Sequence, residues 1–184
     1  MKKLLWMLPL LIIVMTNAVS SMAQDYIVVD YPDRSQKDIH SDIKSWIAKS
    51  FVSANNVIQH ESETKIIIKA EDRLQTRYQY SVHEEAFNYV VSYIIDIEIK
   101  DNRYRYKFDN VNIRIDKNTI PYNRYPEYVR QENERTLKNW QILKKARQQQ
   151  ADARTSTIDK INHHLQDLEI EIKQIPKQRT STEW

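Results

Sequence analysis

Three kinds of side-chain arrangement in this chain carry residue types fit for chemistry. Two His-Glu pairs come first. His83-Glu84 begins like the His-Glu-x-x-His of zinc-dependent proteases, but position 87 is Phe, so the second ligand is missing. His60-Glu61 fails in the same way, with Thr64 at the second ligand position. His163 and His164 are adjacent, about 100° apart on a helix, which serves one metal poorly. All five histidines therefore read as surface or rim residues, and no metal is expected. Next come Asp96 and Glu98, two carboxylates on one strand face. They could act as a general acid and base, but Lys107 and Arg105 stand across the strand and give the simpler account, a charge-balanced wet face. Last is the series Arg103, Arg105, Lys107 and Arg114 with tyrosines between, which is what a nucleic-acid platform would use. Here the tyrosines point the other way, so that use is set aside.

The element that positions these groups is a hairpin. From Tyr89 the positions Val91, Tyr93, Ile95, Ile97 and Ile99 are apolar, with Ser92, Asp96, Glu98 and Lys100 between them. That period of two predicts a half-buried strand. After Asp101-Asn102, Tyr104, Tyr106 and Phe108 alternate with Arg103, Arg105 and Lys107. Asp-Asn tolerates the positive φ of a two-residue turn. With Lys100 facing Arg103, Ile99 faces Tyr104, Ile97 faces Tyr106 and Ile95 faces Phe108. Glu98 then meets Arg105 and Asp96 meets Lys107. A slip by one residue would set apolar side chains against charged ones along the whole ladder. Past Phe108 the apolar positions become Val111, Ile113 and Ile115. The parity thus shifts at Asp109-Asn110, through a β-bulge or a tight turn.

The chain has 184 residues, no cysteine and no glycine, and a formal net charge of +3. Lys2-Lys3, the apolar run Leu4 to Met15 and the small-x-small triplet Ser21-Met22-Ala23 have the form of a secretory signal peptide over residues 1–23, cleaved before Gln24. The run is too short for a transmembrane helix, which needs about 20 apolar residues. Removing the leader takes two lysines and brings the balance to +1. Without a cysteine there is no site for a lipid anchor and no disulfide. The expectation is an exported protein, periplasmic or secreted, with no transmembrane segment after cleavage. Absence of glycine excludes the P-loop, the dinucleotide fingerprint and the nucleophile elbow. It also leaves tight turns to Asn, Asp and Ser, as at Asn55-Asn56, Asp101-Asn102 and Asn123.

Tyr26 to Asp30 reads as a first strand. Ser35 followed by Asp38 starts a helix with Ile39, Ile43, Trp46, Ile47 and Phe51 on one stripe, ended by Asn55-Asn56. Val57 to His60 and Thr64 to Ala70 are strands, and Arg73 to Val82 a weaker one. Strand, helix, then four or more antiparallel strands is an α+β layout with one sheet face covered by the helix. Pro121 and Pro126 mark a Tyr/Arg-rich connector. Val129 to Gln150 is read as a helix with Leu137, Trp140 and Leu143 as a thin stripe. Ser156 and Asp159 cap a second helix, whose Ile158, Ile161, Leu165, Leu168, Ile172 and Ile175 form a short heptad seam before Pro176 stops it. That seam either docks on its own domain, as a helical hairpin, or joins two chains. The expected organisation is a leader (1–23), an α+β domain (24–120), a connector (121–128) and a helical C-terminal appendage (129–184).

Three stretches carry a family resemblance: Trp46-Ile47-Ala48-Lys49-Ser50-Phe51, Val57-Ile58-Gln59, and Asn102-Arg103-Tyr104-Arg105-Tyr106-Lys107-Phe108. Over residues 35–115 the chain resembles a family of exported bacterial proteins described as a domain of unknown function with a TBP-like fold. The ending Glu183-Trp184 is also similar to its members. Where members carry glycine before the last run, Asn102 stands here. The resemblance implies a curved antiparallel sheet of about five or six strands with helices packed on it. It implies no catalytic residue and no cofactor, and a fold by itself does not imply DNA binding.

Two surfaces remain as candidates. Trp46 with Tyr93, Tyr104 and Tyr106 would hold a small apolar or amphipathic ligand between helix and sheet. Tyr122, Arg124, Tyr125 and Tyr128, with Ile161, Leu165 and Leu168, would meet an envelope protein or a second copy, because aromatic and arginine enrichment marks interface cores. The tyrosines of that connector serve equally as a strap filling the open edge of the sheet. The function expected is a non-enzymatic interaction or scaffold module of the cell envelope, with the small-ligand binder as the alternative.

Overall fold

The computed structural model describes residues 25–138 and 143–178. The expected leader (1–23), Trp140 and the Glu183-Trp184 ending lie outside the described residues. Element order is β1 (Ile27–Asp30), α1 (Gln36–Ser50), α2 (Ala54–Val57), β2 (Ile58–Ser62), β3 (Lys65–Tyr80), β4 (His83–Lys100), β5 (Arg103–Ile115), β6 (Asn118–Pro121), a 3-10 turn (Tyr122–Arg124), α3 (Tyr125–Lys138) and α4 (Lys144–Gln178). The sheet is antiparallel with strand order β1-β5-β4-β3-β2, and β6 lies beside the far end of β5.

The β4–β5 register is the one the alternation requires: Lys100 opposite Arg103, Ile99 opposite Tyr104, Ile97 opposite Tyr106, Ile95 opposite Phe108. Asn102 takes φ 63°, the left-handed conformation that glycine would adopt freely. The parity shift is a bulge. Ser92 pairs with Asn112 but Ile94 with Asp109, so β5 has one residue more, and Asn110 at φ 48° absorbs it. Ser81, Asp116 and Asp33 take the same backbone conformation at other turns, as a chain without glycine demands.

Several boundaries differ from the sequence reading. Residues 65–80 form one continuous strand, with no break after Ala70. Helix α1 ends at Ser50, and Asn55-Asn56 fall in the separate single turn α2. The connector is itself ordered: Pro126 sits in the first turn of α3, where a missing N–H does no harm. Helix α4 runs unbroken through Ser156, whose hydroxyl donates back to the Ala153 carbonyl, and it continues two residues past Pro176.

Helices α1 and α4 lie side by side on one sheet face. Ile39, Ile43, Trp46 and Ile47 of α1 and Ile161, Leu165, Leu168, Ile172 and Ile175 of α4 share a single core with the buried face of β3, β4 and β5. The C-terminal helix α4 therefore shares its core with the sheet, as the alternative of docking on its own domain requires. Pro176 survives inside α4 for a specific reason. Proline has no N–H to give to the carbonyl four residues back, at Ile172. The Tyr104 hydroxyl, fully buried on β5, donates to that carbonyl instead, at 2.5 Å. The neighbouring Tyr106 hydroxyl, equally buried, has no hydrogen-bond partner among the described residues.

These two tyrosines give a paired test. Tyr104→Phe leaves a buried carbonyl unsatisfied and is expected to cost about 1–3 kcal/mol in urea unfolding, whereas Tyr106→Phe removes an unpaired hydroxyl and should be neutral or stabilising. Equal losses in both variants would show that the Tyr104–Ile172 bond carries no special weight.

Candidate functional site

The four residues expected around a ligand are brought together, but α4 fills the space between them. Trp46, Tyr93, Tyr104 and Tyr106 are each no more than 2% exposed. The Trp46 indole N–H donates to Glu171 of α4 at 3.2 Å, and Ser50 of α1 donates to the same oxygen at 2.8 Å. Burial pushes the Tyr93, Tyr104 and Tyr106 hydroxyls well above the ordinary tyrosine range. All three are neutral, and Tyr93 and Tyr104 act as donors within the helix–sheet contact.

At the rim of that contact lies a polar cluster that the sequence reading missed. The Tyr93 hydroxyl donates to Asp72 Oδ2 at 2.5 Å, and His164 Nε2 of α4 lies 2.8 Å from the same oxygen. Burial disfavours the charged carboxylate, but the bonds from His164 and Tyr93 outweigh it and hold Asp72 below the usual carboxylate range. The signal was present. Asp72 continues the inward parity of Ile66, Ile68 and Ala70, and a single long β3 would have shown a carboxylate aimed at the core face. His164 is flanked by the seam residue Leu165.

The Asp96–Glu98 pair stands on the opposite, uncovered face. Glu98 accepts two bonds from Arg105, at 2.8 and 2.5 Å, and this pairing lowers its pKa. Asp96 is held by Lys65 of β3 at 3.0 Å, not by Lys107, although Lys107 is its register partner. Lys107 reaches Asp109 on its own strand at 3.4 Å. The Tyr26 hydroxyl bridges the two carboxylates at 3.0 and 3.1 Å, with the Arg105 guanidinium stacked over its ring. Burial and then the carboxylates push that hydroxyl up to about 12. Both acids are thus committed to cations and a phenol. A cleft of about 620 Å³ opens next to them, lined by Val28, Gln36, Lys100, Asp101, Arg103 and Arg105 among others. Its charges are mixed, and Asp101 is already bonded to the Gln36 N–H at the start of α1.

The expected partner surface divides. Tyr122 donates to Asn162 of α4, and buried Tyr125 bonds Thr157 of α4 while stacking on Tyr128. These tyrosines strap the 3-10 turn and α3 to α4. Arg124 alone of the four is fully exposed. Ile161, Leu165 and Leu168 face the chain's own core, so the seam presents nothing to a second copy. His83 sits in the β3–β4 turn region opposite Tyr80, His60 lies exposed on β2, and His163 bonds its own helix at Asp159. Among the described residues no three potential metal ligands converge.

The Asp72 cluster predicts a pH dependence. A carboxyl held low in the fold stabilises it fully above the ordinary aspartate range and loses that contribution as pH falls through the folded value. Asp72→Asn is expected to lower stability by about 1–2 kcal/mol at pH 7, since charge-assisted bonds at a partly exposed site are lost. The gap from the unmodified chain should begin to narrow below about pH 4 in thermal unfolding and go on shrinking as the pH falls further. A gap that does not change with pH would show that Asp72 acts through packing instead.

Residues 26–114 match the family model described as "Domain of unknown function (DUF4468) with TBP-like fold". Among solved structures, a DUF4468 family protein from Bacteroides ovatus aligns at 15% identity with TM-score 0.48, covering 80% of this chain and 84% of that one. A TBP-like protein from Parabacteroides distasonis aligns at 14% identity with TM-score 0.40, covering 78% and 89%. No curated protein matches. From Tyr26 to Arg114, the stretch holding β1 to β5 with α1, the chain therefore matches the domain-of-unknown-function family with a TBP-like fold.

Proposed function

We propose that the protein is a non-enzymatic interaction module exported to the cell envelope, freed of a leader that ends at Ala23 and acting in the periplasm or outside the cell. The observation that carries this reading is that the chain covers its own aromatic face. Helix α4 lies on Tyr93, Tyr104 and Tyr106, and its Glu171 caps Trp46, so the place best suited to a small ligand is occupied from within. What the molecule offers to its surroundings is a sheet face of paired charges and the exposed ends of its strands and helices. The carboxylates that could have served as acid and base are held by Lys65, Arg105 and Tyr26. Export is supported by Lys2-Lys3, the apolar Leu4 to Met15 run and Ser21-Met22-Ala23. No helix among the described residues is long and apolar enough to cross a membrane, and the sequence has no cysteine for a lipid anchor.

Expression of the whole chain in a bacterium with an outer membrane, followed by native mass spectrometry of the periplasmic fraction without refolding, tests both halves. The expected species begins at Gln24 and carries no added mass. A chain retaining residues 1–23 in the cytoplasm would refute export. A reproducible extra mass of a few hundred daltons would replace the interaction module with a small-ligand binder.

A further inference from the structure

The structure's longest strand pair and its longest helix run antiparallel, and their shared end differs from the rest of the surface. His164 meets Asp72, Lys160 bonds the Gln75 carbonyl and Gln150 reaches the Tyr78 hydroxyl. Continued outward from the Gln150–Tyr78 contact, this order carries the start of α4 toward the end of the sheet where Ser81-Val82 joins β3 to β4. Arg147 bonds the Thr136 carbonyl, which brings in the end of α3 as well. Val82, Leu137 and Leu143 stand exposed here, at 80%, 45% and 48%, and they are half of the six large exposed hydrophobics among the described residues.

Leu143 is the most telling of them. It precedes the first residue of α4, where Ser, Thr, Asp or Asn would ordinarily cap the helix, and it takes a left-handed φ of 72° that a leucine adopts unwillingly. A residue disfavoured by helix chemistry, by backbone sterics and by solvent exposure is better accounted for by what it touches than by the fold. Around it Lys138, Lys144 and Lys145 are exposed, and Lys144 and Lys145 have no ion-pair partner among the described residues. Three carboxylates at this end are paired with cations, Glu84 with Arg77, Glu132 with Arg135 and Glu134 with Arg130, while Glu85 bonds the neutral Tyr78 hydroxyl and keeps its charge against Lys138, Lys144 and Lys145. The local field is therefore positive around apolar tips.

We propose that this end, formed by Val82, Leu137, Lys138, Leu143, Lys144 and Lys145, docks on an anionic lipid surface. Apolar side chains entering the headgroup layer and lysines drawn to lipid charge are the two terms that hold peripheral proteins to membranes. The docking needs no leader and no export, so its test stands apart from the reading above.

The test is flotation of the purified chain without residues 1–23 on vesicles of phosphatidylglycerol and phosphatidylcholine, against phosphatidylcholine alone. The chain is expected to float with the anionic vesicles at low salt and to be released as salt screens the lysines. Each lysine near such a surface is worth about fivefold in partitioning, so Lys144→Glu with Lys145→Glu should lower it by about 25-fold or more. Leu143→Asp should lower it too, with circular dichroism unchanged. No flotation at low salt, or flotation indifferent to the lysine variants, overturns the proposal. So does a concentration-dependent dimer that Leu143→Asp abolishes, because the end would then be an interface between copies.

Discussion

An antiparallel sheet that is apolar along one face must have that face covered, and length decides what can cover it. Strand β4 has 18 residues and β3 has 16, which at about 3.4 Å per residue extend for roughly 55–60 Å before twist shortens them. Helix α1, with 15 residues, covers about 22 Å at 1.5 Å per residue. Only α4, with 35 residues and about 52 Å, matches the sheet. The contact between α4 and the inward face of β3, β4 and β5 is thus the constraint on which the rest depends. It explains why the heptad seam is used inside the molecule, and why the Tyr104 hydroxyl reaches a helix carbonyl. It also explains how Pro176 is tolerated in a helix that has to continue to reach its neighbours.

The absence of glycine sets a second constraint, which the chain meets locally. Every left-handed position but one falls on Asp, Asn or Ser, the residues whose short polar side chains make that conformation least costly. Asn110 is the most consequential of them. By taking the extra residue of β5 into a bulge, it returns Val111, Ile113 and Ile115 to the buried face after Asp109. Without it the far half of β5 would turn its isoleucines to solvent.

How much was legible follows from which interactions are local. The β4–β5 register could be read because the apolar alternation of the two strands agrees along the ladder and Glu98 faces Arg105, and the Ser35 cap because its partner, Asp38, is three residues away. Strand β3 was cut short because Asp72 and Thr76 look like polar interruptions on the inward parity. Their partners, His164 on a distant helix and Tyr89 on the next strand, are invisible to a local pattern. Helix α4 was split at Ser156 because a capping signature and a mid-helix serine that bonds back to its own helix have the same letters. Pro176 was taken as a stop because its orphan carbonyl is satisfied only by Tyr104, 68 residues earlier in the chain. The candidate ligand face meets the same limit. The aromatic residues were identified correctly as a face, but nothing local shows that the chain's own last helix occupies it.

The two faces of the sheet then divide the work. Covering one face from within fixes its aromatic groups as structure, which leaves recognition to what is outside. On the bare face Lys65, Arg105, Lys107 and Arg114 are matched by Asp96, Glu98, Asp109 and Glu71, while Lys69, Arg73 and Arg103 stand exposed on the same face outside these pairs, so its charge is partly cancelled and partly left over. The end where α4 begins differs in what stands beside its charge, since Lys144 and Lys145 lie next to the exposed Leu137 and Leu143. Electrostatic selection acts where charge is left over, not where it is most dense. Both leftover charge and exposed apolar side chains meet at this end, which is why the proposed lipid contact is placed there and not on the sheet face.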